Sequence, residues 1–105
     1  MNPAPLVRTL AALADETRWG ILTSLGAEDL SASALAQRMP VSRQAIAKHL
    51  STLVAVGLVE TLPAGREVRY RALGTRLEQV AADLDAIGAG WDRRLQHIKR
   101  VAERG

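Results

Sequence analysis

The chain has 105 residues, with 14 lysines and arginines against 11 aspartates and glutamates, and no cysteine. That length supports one domain around a small core, which self-association would stabilise further, while the missing cysteine excludes disulfides, thiolate metal sites and thiol chemistry. The longest run free of Asp, Glu, Lys and Arg is 11 residues, His49 to Val59, too short to cross a bilayer. Alanine (18) and leucine (15) dominate and only 3% of residues are aromatic, a vocabulary that favours helices. No secretory h-region precedes Arg8, so a soluble cytoplasmic protein with no membrane partner is expected.

Leu6, Leu10, Leu13 and Ala14 recur at helical spacing and predict a first helix over about 4–14. Asp15 suits an N-cap for a second, with Ile21, Leu22 and Leu25 as its stripe and Gly26 as its stop. Ser31 caps a third helix over about 31–39, with Leu30 and Leu35 at the hydrophobic-staple positions and Pro40 closing it. Ser42 opens a fourth almost at once; Val41 and Ile46 form another staple, and the helix runs to about Val56 before Gly57. Two helices joined so tightly predict a helix-turn-helix.

The period then changes from helical to alternating. Leu58–Leu62 reads as a strand, Pro63-Ala64-Gly65 as a turn, and Glu67–Leu73 as the returning strand. Val68, Tyr70 and Ala72 share one face of it, with Arg69 and Arg71 on the other. Thr75 and Glu78 have the spacing of a capping box for a last helix over about 75–103. Its stripe comprises Leu77, Val80, Leu84, Ile87, Trp91, Leu95, Ile98 and Ala102, with Gly88 and Gly90 weakening the middle. The fold class is therefore mainly α with a β-hairpin, in the order α1-α2-α3-α4-β-β-α5.

Charge is unevenly placed along this order. Residues 1–40 sum to −1 and residues 77–105 to zero, so residues 41–76 hold an excess of +4. That local excess has the form of a nucleic-acid footprint. On a wheel of the fourth helix, Ile46, Leu50 and Leu53 point inward, while Gln44, Ala47, Lys48 and Ser51 lie outward beside Ser42 and Arg43. An outer face without carboxylates suits a helix that approaches phosphate: Arg43 fits a guanine edge or a phosphate, Gln44 an adenine edge, Lys48 and Ser51 the backbone. The same side chains also suit an ordinary solvated face. The hairpin that follows carries Arg66 at its tip, with Arg69 and Arg71 on one strand face, as a wing for phosphate or minor groove would. Edge strands also carry charge simply to resist aggregation.

Leu13-Ala14-Asp15-Glu16-Thr17-Arg18 followed by Ile21-Leu22, then Ser42-Arg43-Gln44-Ala45-Ile46-Ala47-Lys48-His49-Leu50, Leu53 and Gly57-Leu58-Val59, and finally Gly65-Arg66 through Tyr70, together resemble the ArsR/SmtB group of winged helix-turn-helix repressors. The resemblance spans nearly the whole chain. It departs at Ala47, where members often carry a second serine. It implies a homodimer with its terminal helices (about 4–14 and 75–103) at the interface, reading an inverted-repeat DNA operator.

Many members sense metals, and the resemblance places their ligands at identifiable positions. Ser31 and Ser33 stand where a Cys-x-Cys pair would be, and neutral hydroxyls are poor ligands for soft metals. On the last helix Asp83 matches a ligand position, but Asp85 replaces a histidine, Gln96 and Lys99 replace the second pair, and His97 is one residue out of register. A member without metal or other cofactor is expected. Trp91-Asp92-Arg93-Arg94-Leu95 resembles the tail of a subgroup lacking metal ligands.

The expected DNA contacts are Ser42, Arg43, Gln44, Lys48, His49, Ser51, Arg66, Arg69 and Arg71. The expected dimer seam is Leu6, Leu10, Leu77, Val80, Leu84, Ile87, Trp91, Leu95 and Ile98, whose stripe is longer than a small domain needs to cover itself. His49 is expected in a structural or phosphate-bonding role, and Trp19 and Trp91 in the core or an interface. No nucleophile–base pair or phosphate loop points to an enzyme. The partners expected are double-stranded DNA, a second copy and an effector of unspecified chemistry; the competing expectation is a winged-helix adaptor that pairs its long helix with another protein.

Overall fold

A computed structural model describes residues 4–104 of the chain. The order is α1 (Ala4–Leu13), α2 (Glu16–Ala27), β1 (Leu30–Ser31), α3 (Ala32–Arg38), α4 (Arg43–Ala55), β2 (Val59–Ala64), β3 (Glu67–Ala72) and α5 (Gly74–Arg104). This is a winged helix-turn-helix, mainly helical with an antiparallel hairpin.

Caps explain where the helices begin. The Asp15 carboxylate accepts from Arg18 N, the Ser31 hydroxyl from Ala34 N and the Ser42 hydroxyl from Ala45 N. Each such cap satisfies an otherwise orphaned donor and contributes about 1 kcal/mol. At the far end of α4, Leu58 N donates to Leu53 O and Gly57 N to Val54 O. That paired pattern requires a left-handed residue, and Gly57 supplies it at φ 78°.

Three boundaries and the number of strands differ from the sequence expectation. Gly26 does not stop α2, because nothing forces a left-handed turn there; the helix continues to Ala27 with Glu28 as C-cap. The hairpin turn is tighter than Pro63-Ala64-Gly65. Pro63 pairs with Val68 and Ala64 with Glu67, leaving Gly65 and Arg66 to turn. Positive φ at Gly65 alone is the pattern of a II′ turn, and β2 is an edge strand that tolerates Pro63. Thr75 lies inside the first turn of α5 and not at its cap, since Leu77 N already donates to Leu73 O. Finally, the sheet has three strands in the order β1-β3-β2, because Leu30 and Ser31 pair with Tyr70 and Arg69.

The core gathers Ile21, Leu22 and Leu25 from α2, Leu35 from α3, Ile46, Leu50 and Leu53 from α4, Leu30 from β1, Leu58 from the joint after α4 and Val59 from β2. Tyr70 and Ala72 pack against this cluster, whereas Val68, on the same face of β3, stays half-exposed nearer the tip. The α1 helix is fastened to α5 by Arg76 Nη2 donating to Thr9 Oγ1 at 3.3 Å, and Thr9 is itself buried.

Beyond Val80 the last helix leaves the head. It runs unbroken through Gly88 and Gly90 and, at 1.5 Å per residue, its 31 residues extend about 46 Å. The molecule accordingly measures 69 × 27 × 23 Å. No described helix is long and apolar enough to cross a membrane.

Candidate nucleic-acid interface

The packing of α4 decides which side chains it offers. Ile46, Leu50 and Leu53 are buried at spacings of four and three, so the opposite side must face out. Arg43, Gln44, Ala47, Lys48 and Ser51 are all exposed along it, and Ser42 is exposed at its cap. Two of the expected contacts are partly committed to the helix itself. The Ser42 hydroxyl accepts the capping bond at 3.2 Å, and the Ser51 hydroxyl donates to Ala47 O at 3.1 Å. Arg43, Gln44 and Lys48 have no side-chain partner among the described residues, and no carboxylate is carried on this face of α4.

The wing stands beside the start of α4. Between them lies a cleft of about 370 Å³ lined by Arg43 and Ala47 of α4, Arg66, Glu67 and Val68 of the hairpin, Tyr70, and Ser33 of α3, with Glu67 the one carboxylate on its wall. Two cationic side chains from different elements therefore border one groove. Ser33 and Tyr70 are residues that sequence reasoning did not assign to this surface. Tyr70 had only its strand alternation to mark it, and the approach of α3 to the wing has no local signal.

The three wing arginines are not equivalent. Arg66, at the turn, forms no ion pair among the described residues, while Arg69 Nε meets Glu67 Oε2 at 3.4 Å on the exposed strand. Arg71 is held by both carboxylate oxygens of Asp29, at 3.1 and 2.8 Å, with Glu60, its cross-strand partner, at 3.9 Å. The side-chain bond from Arg71 holds the Asp29 carboxyl below the usual carboxylate value, and Asp29 in turn raises the Arg71 guanidinium. These charges are exposed, so the pair gains geometry from its bidentate form more than stability. In sequence, Asp29 lies far from the wing; β1 brings it there.

His49 sits at the rim between the core row and the outer face, half-buried, with its Nδ1 3.2 Å from Arg18 Nη1. Arg18 also donates through Nε to the carbonyl of Ala12. The Asp15 carboxyl is lowered chiefly by the backbone N–H of Arg18 that it caps.

The expected seam residues divide into two groups. Leu6, Leu10 and Leu77 are half-buried and Val80 is buried against the head. Leu84, Ile87, Trp91, Leu95 and Ile98 are each between 44 and 61% exposed, and Val101 continues the row. Trp19 is 59% exposed and Trp91 54%, so neither belongs to the core of this chain. Trp19 borders an apolar groove of about 540 Å³ between α1, α2 and α5, whose walls include Leu10, Leu13, Leu22, Val80 and Leu84. Among the described residues no three His, Asp or Glu side chains cluster as metal ligands would.

Residues 13–61 match the family model described as a helix-turn-helix domain. The chain is 39% identical over 88 residues to an HTH-type transcriptional regulator of Mycobacterium tuberculosis, covering 84% of this chain and 79% of that protein. It is 35% identical over 77 residues to the transcriptional activator HlyU of Vibrio cholerae, covering 73% and 71%. Among solved structures, an ArsR-like transcriptional regulator from Rhodococcus sp. RHA1 superposes with a TM-score of 0.87 at 63% identity, covering 94% and 93%. A homodimeric winged helix-turn-helix DNA-binding domain from Mycobacterium bovis superposes at 0.66 with 28% identity, covering 90% and 84%.

Proposed function

Given that the chain belongs to the ArsR-type winged helix-turn-helix family of DNA-binding transcriptional regulators, and is not an enzyme, we propose that it is a repressor that binds an inverted-repeat operator as a homodimer. The carrying observation is the groove bordered by Arg43 of α4 and Arg66 of the wing, beside an outer α4 face without carboxylates. In this reading α4 enters the major groove, with Arg43 and Gln44 at base edges and Lys48 and Ser51 on the backbone. Ser42 and His49 flank that contact, Arg66 and then Arg69 meet phosphate or the minor groove, and Arg71 braces the wing against Asp29.

The dimer supplies the second copy of α4. The bare row from Leu84 to Ile98, together with α1, is the surface that a second copy covers. A twofold pair would set two reading helices on successive major-groove turns, hence the inverted repeat. Occupancy would exclude polymerase, and an effector would act by favouring a dimer geometry that misplaces the two helices. The bare row alone would equally suit an adaptor pairing with a different chain, whereas a purified homodimer assigns it to self-association.

The test is binding of the purified dimer to duplex from its own promoter region and to random duplex, at near-physiological salt. Preference for the promoter, lost in Arg43→Ala and weakening steeply with salt, is the expected result. Equal affinity for both duplexes overturns the operator reading. A promoter–reporter assay fixes the direction of control, since a relative of this chain is a named activator.

A further inference from the structure

The motif residues Asp15-Glu16-Thr17-Arg18 and Lys48-His49-Leu50 are far apart in sequence, and the fold sets Arg18 against His49 across 31 positions. We propose that Arg18 is a positioning residue for DNA reading: it fixes α4 relative to α1 and α2 by locking His49 in one tautomer. The proposal rests on the operator reading above and deepens it.

Arg18 is largely covered, its side chain only 19% exposed, so its guanidinium is directed by its neighbours. Nε donates to the carbonyl of Ala12 in the last turn of α1. Nη1 stands 3.2 Å from His49 Nδ1 and 4.0 Å from Asp15 Oδ2, and Asp15 caps α2 through Arg18 N at 2.9 Å. One side chain thus joins the end of α1, the start of α2 and the middle of α4.

The chemistry of the contact is directional. A guanidinium has donors only, so His49 Nδ1 must accept, and the neutral imidazole must carry its proton on Nε2. Nε2 has no protein partner among the described residues and is not a buried unsatisfied atom, so its N–H reaches solvent. It does so on the helix whose outer face carries Lys48 and Ser51. The Ile46, Leu50 and Leu53 row also holds α4 by close packing, and the Arg18 contact adds a directional restraint at the rim of that row. That restraint is sensitive to the orientation of His49, because hydrogen bonds weaken steeply with angle. Since Arg76 ties α1 to α5, Arg18 also connects the reading helix to the side of the molecule that carries the bare apolar row.

Long-range nitrogen NMR of the wild-type dimer reads the His49 tautomer directly, and affinity is measured on duplex selected by the wild type from a randomised pool and on a scrambled duplex. Expected are the Nε2–H tautomer as the single form of the neutral ring and an Arg18→Gln variant that loses about tenfold on the selected duplex. Its affinity for scrambled duplex holds within about twofold, and its melting temperature shifts by no more than about 4 °C. His49→Ala costs less affinity in the Arg18→Gln background than in the wild type, because the two side chains are coupled. An Nδ1–H tautomer in the wild type overturns the proposal without any variant, as does a parallel fall of selected and scrambled affinity with fold stability. A wild type that selects no sequence overturns the operator reading instead, and the tautomer then decides the clasp by itself.

Discussion

The head and the outer half of α5 carry the same apolar periodicity and put it to opposite uses. In α4, Ile46, Leu50 and Leu53 recur at spacings of four and three and are fully covered by the rest of the head. In α5, Leu84, Ile87, Trp91, Leu95 and Ile98 recur at the same spacings and remain open. Periodicity therefore states that a face wants cover, and topology decides who provides it. The head is small enough to close on itself once β1, β2 and β3 are in place, whereas a helix of about 46 Å outruns any domain of this size.

The largest expected effect lies on the covered side. Leu53→Ala leaves a cavity at the centre of the head and should cost about 2–5 kcal/mol in denaturant unfolding. A cost near zero would mean that this row is not a core. Next comes the uncovered side, where Trp91→Ala should barely alter the secondary structure yet raise the dimer dissociation constant by about 30-fold or more, read by sedimentation. An unchanged constant would remove the outer row from self-association and blunt the contrast with the head.

The wing yields the next effect. Arg66→Ala should reduce the salt slope of operator affinity by about one, and Arg71→Ala by less than about half of that, because Arg71 is already engaged by Asp29. Equal slopes would show that the brace opens on DNA. The smallest effect concerns pH. Asp29 has a lowered folded-state value, so its contribution is complete above the ordinary carboxylate range and is lost as pH falls through that lowered value. Amide exchange at Tyr70, which pairs with Leu30, should be faster in Asp29→Asn than in the wild type at neutral pH, with the two converging in acid.

Most elements were legible in the sequence because their signals are local. Asp15, Ser31 and Ser42 are caps that act within three residues, Gly57 forces its own turn, and the α4 row needs only a wheel. The outward side chains of α4 followed from that row. Missing were features made by residues distant in the chain. β1 is two residues long, shorter than any alternation can reveal, and it exists because Tyr70 and Arg69 present an open edge. The difference between Arg66 and Arg71 depends on Asp29, and the clasp at His49 on Arg18. Even the tighter hairpin turn needed the register of Pro63 with Val68.

The joint between α4 and β2 has a mechanical consequence. Three residues, Val56 to Leu58, separate the two elements, and Leu58 and Val59 are wholly enclosed. Such a joint leaves no slack for a hinge, so reader and wing form one jaw of fixed angle. If two copies pair as proposed above, only the gap between the two jaws is adjustable, as in a calliper. A signal would then be felt as a mismatch of spacing between half-sites, while the letters read within each half-site stay the same.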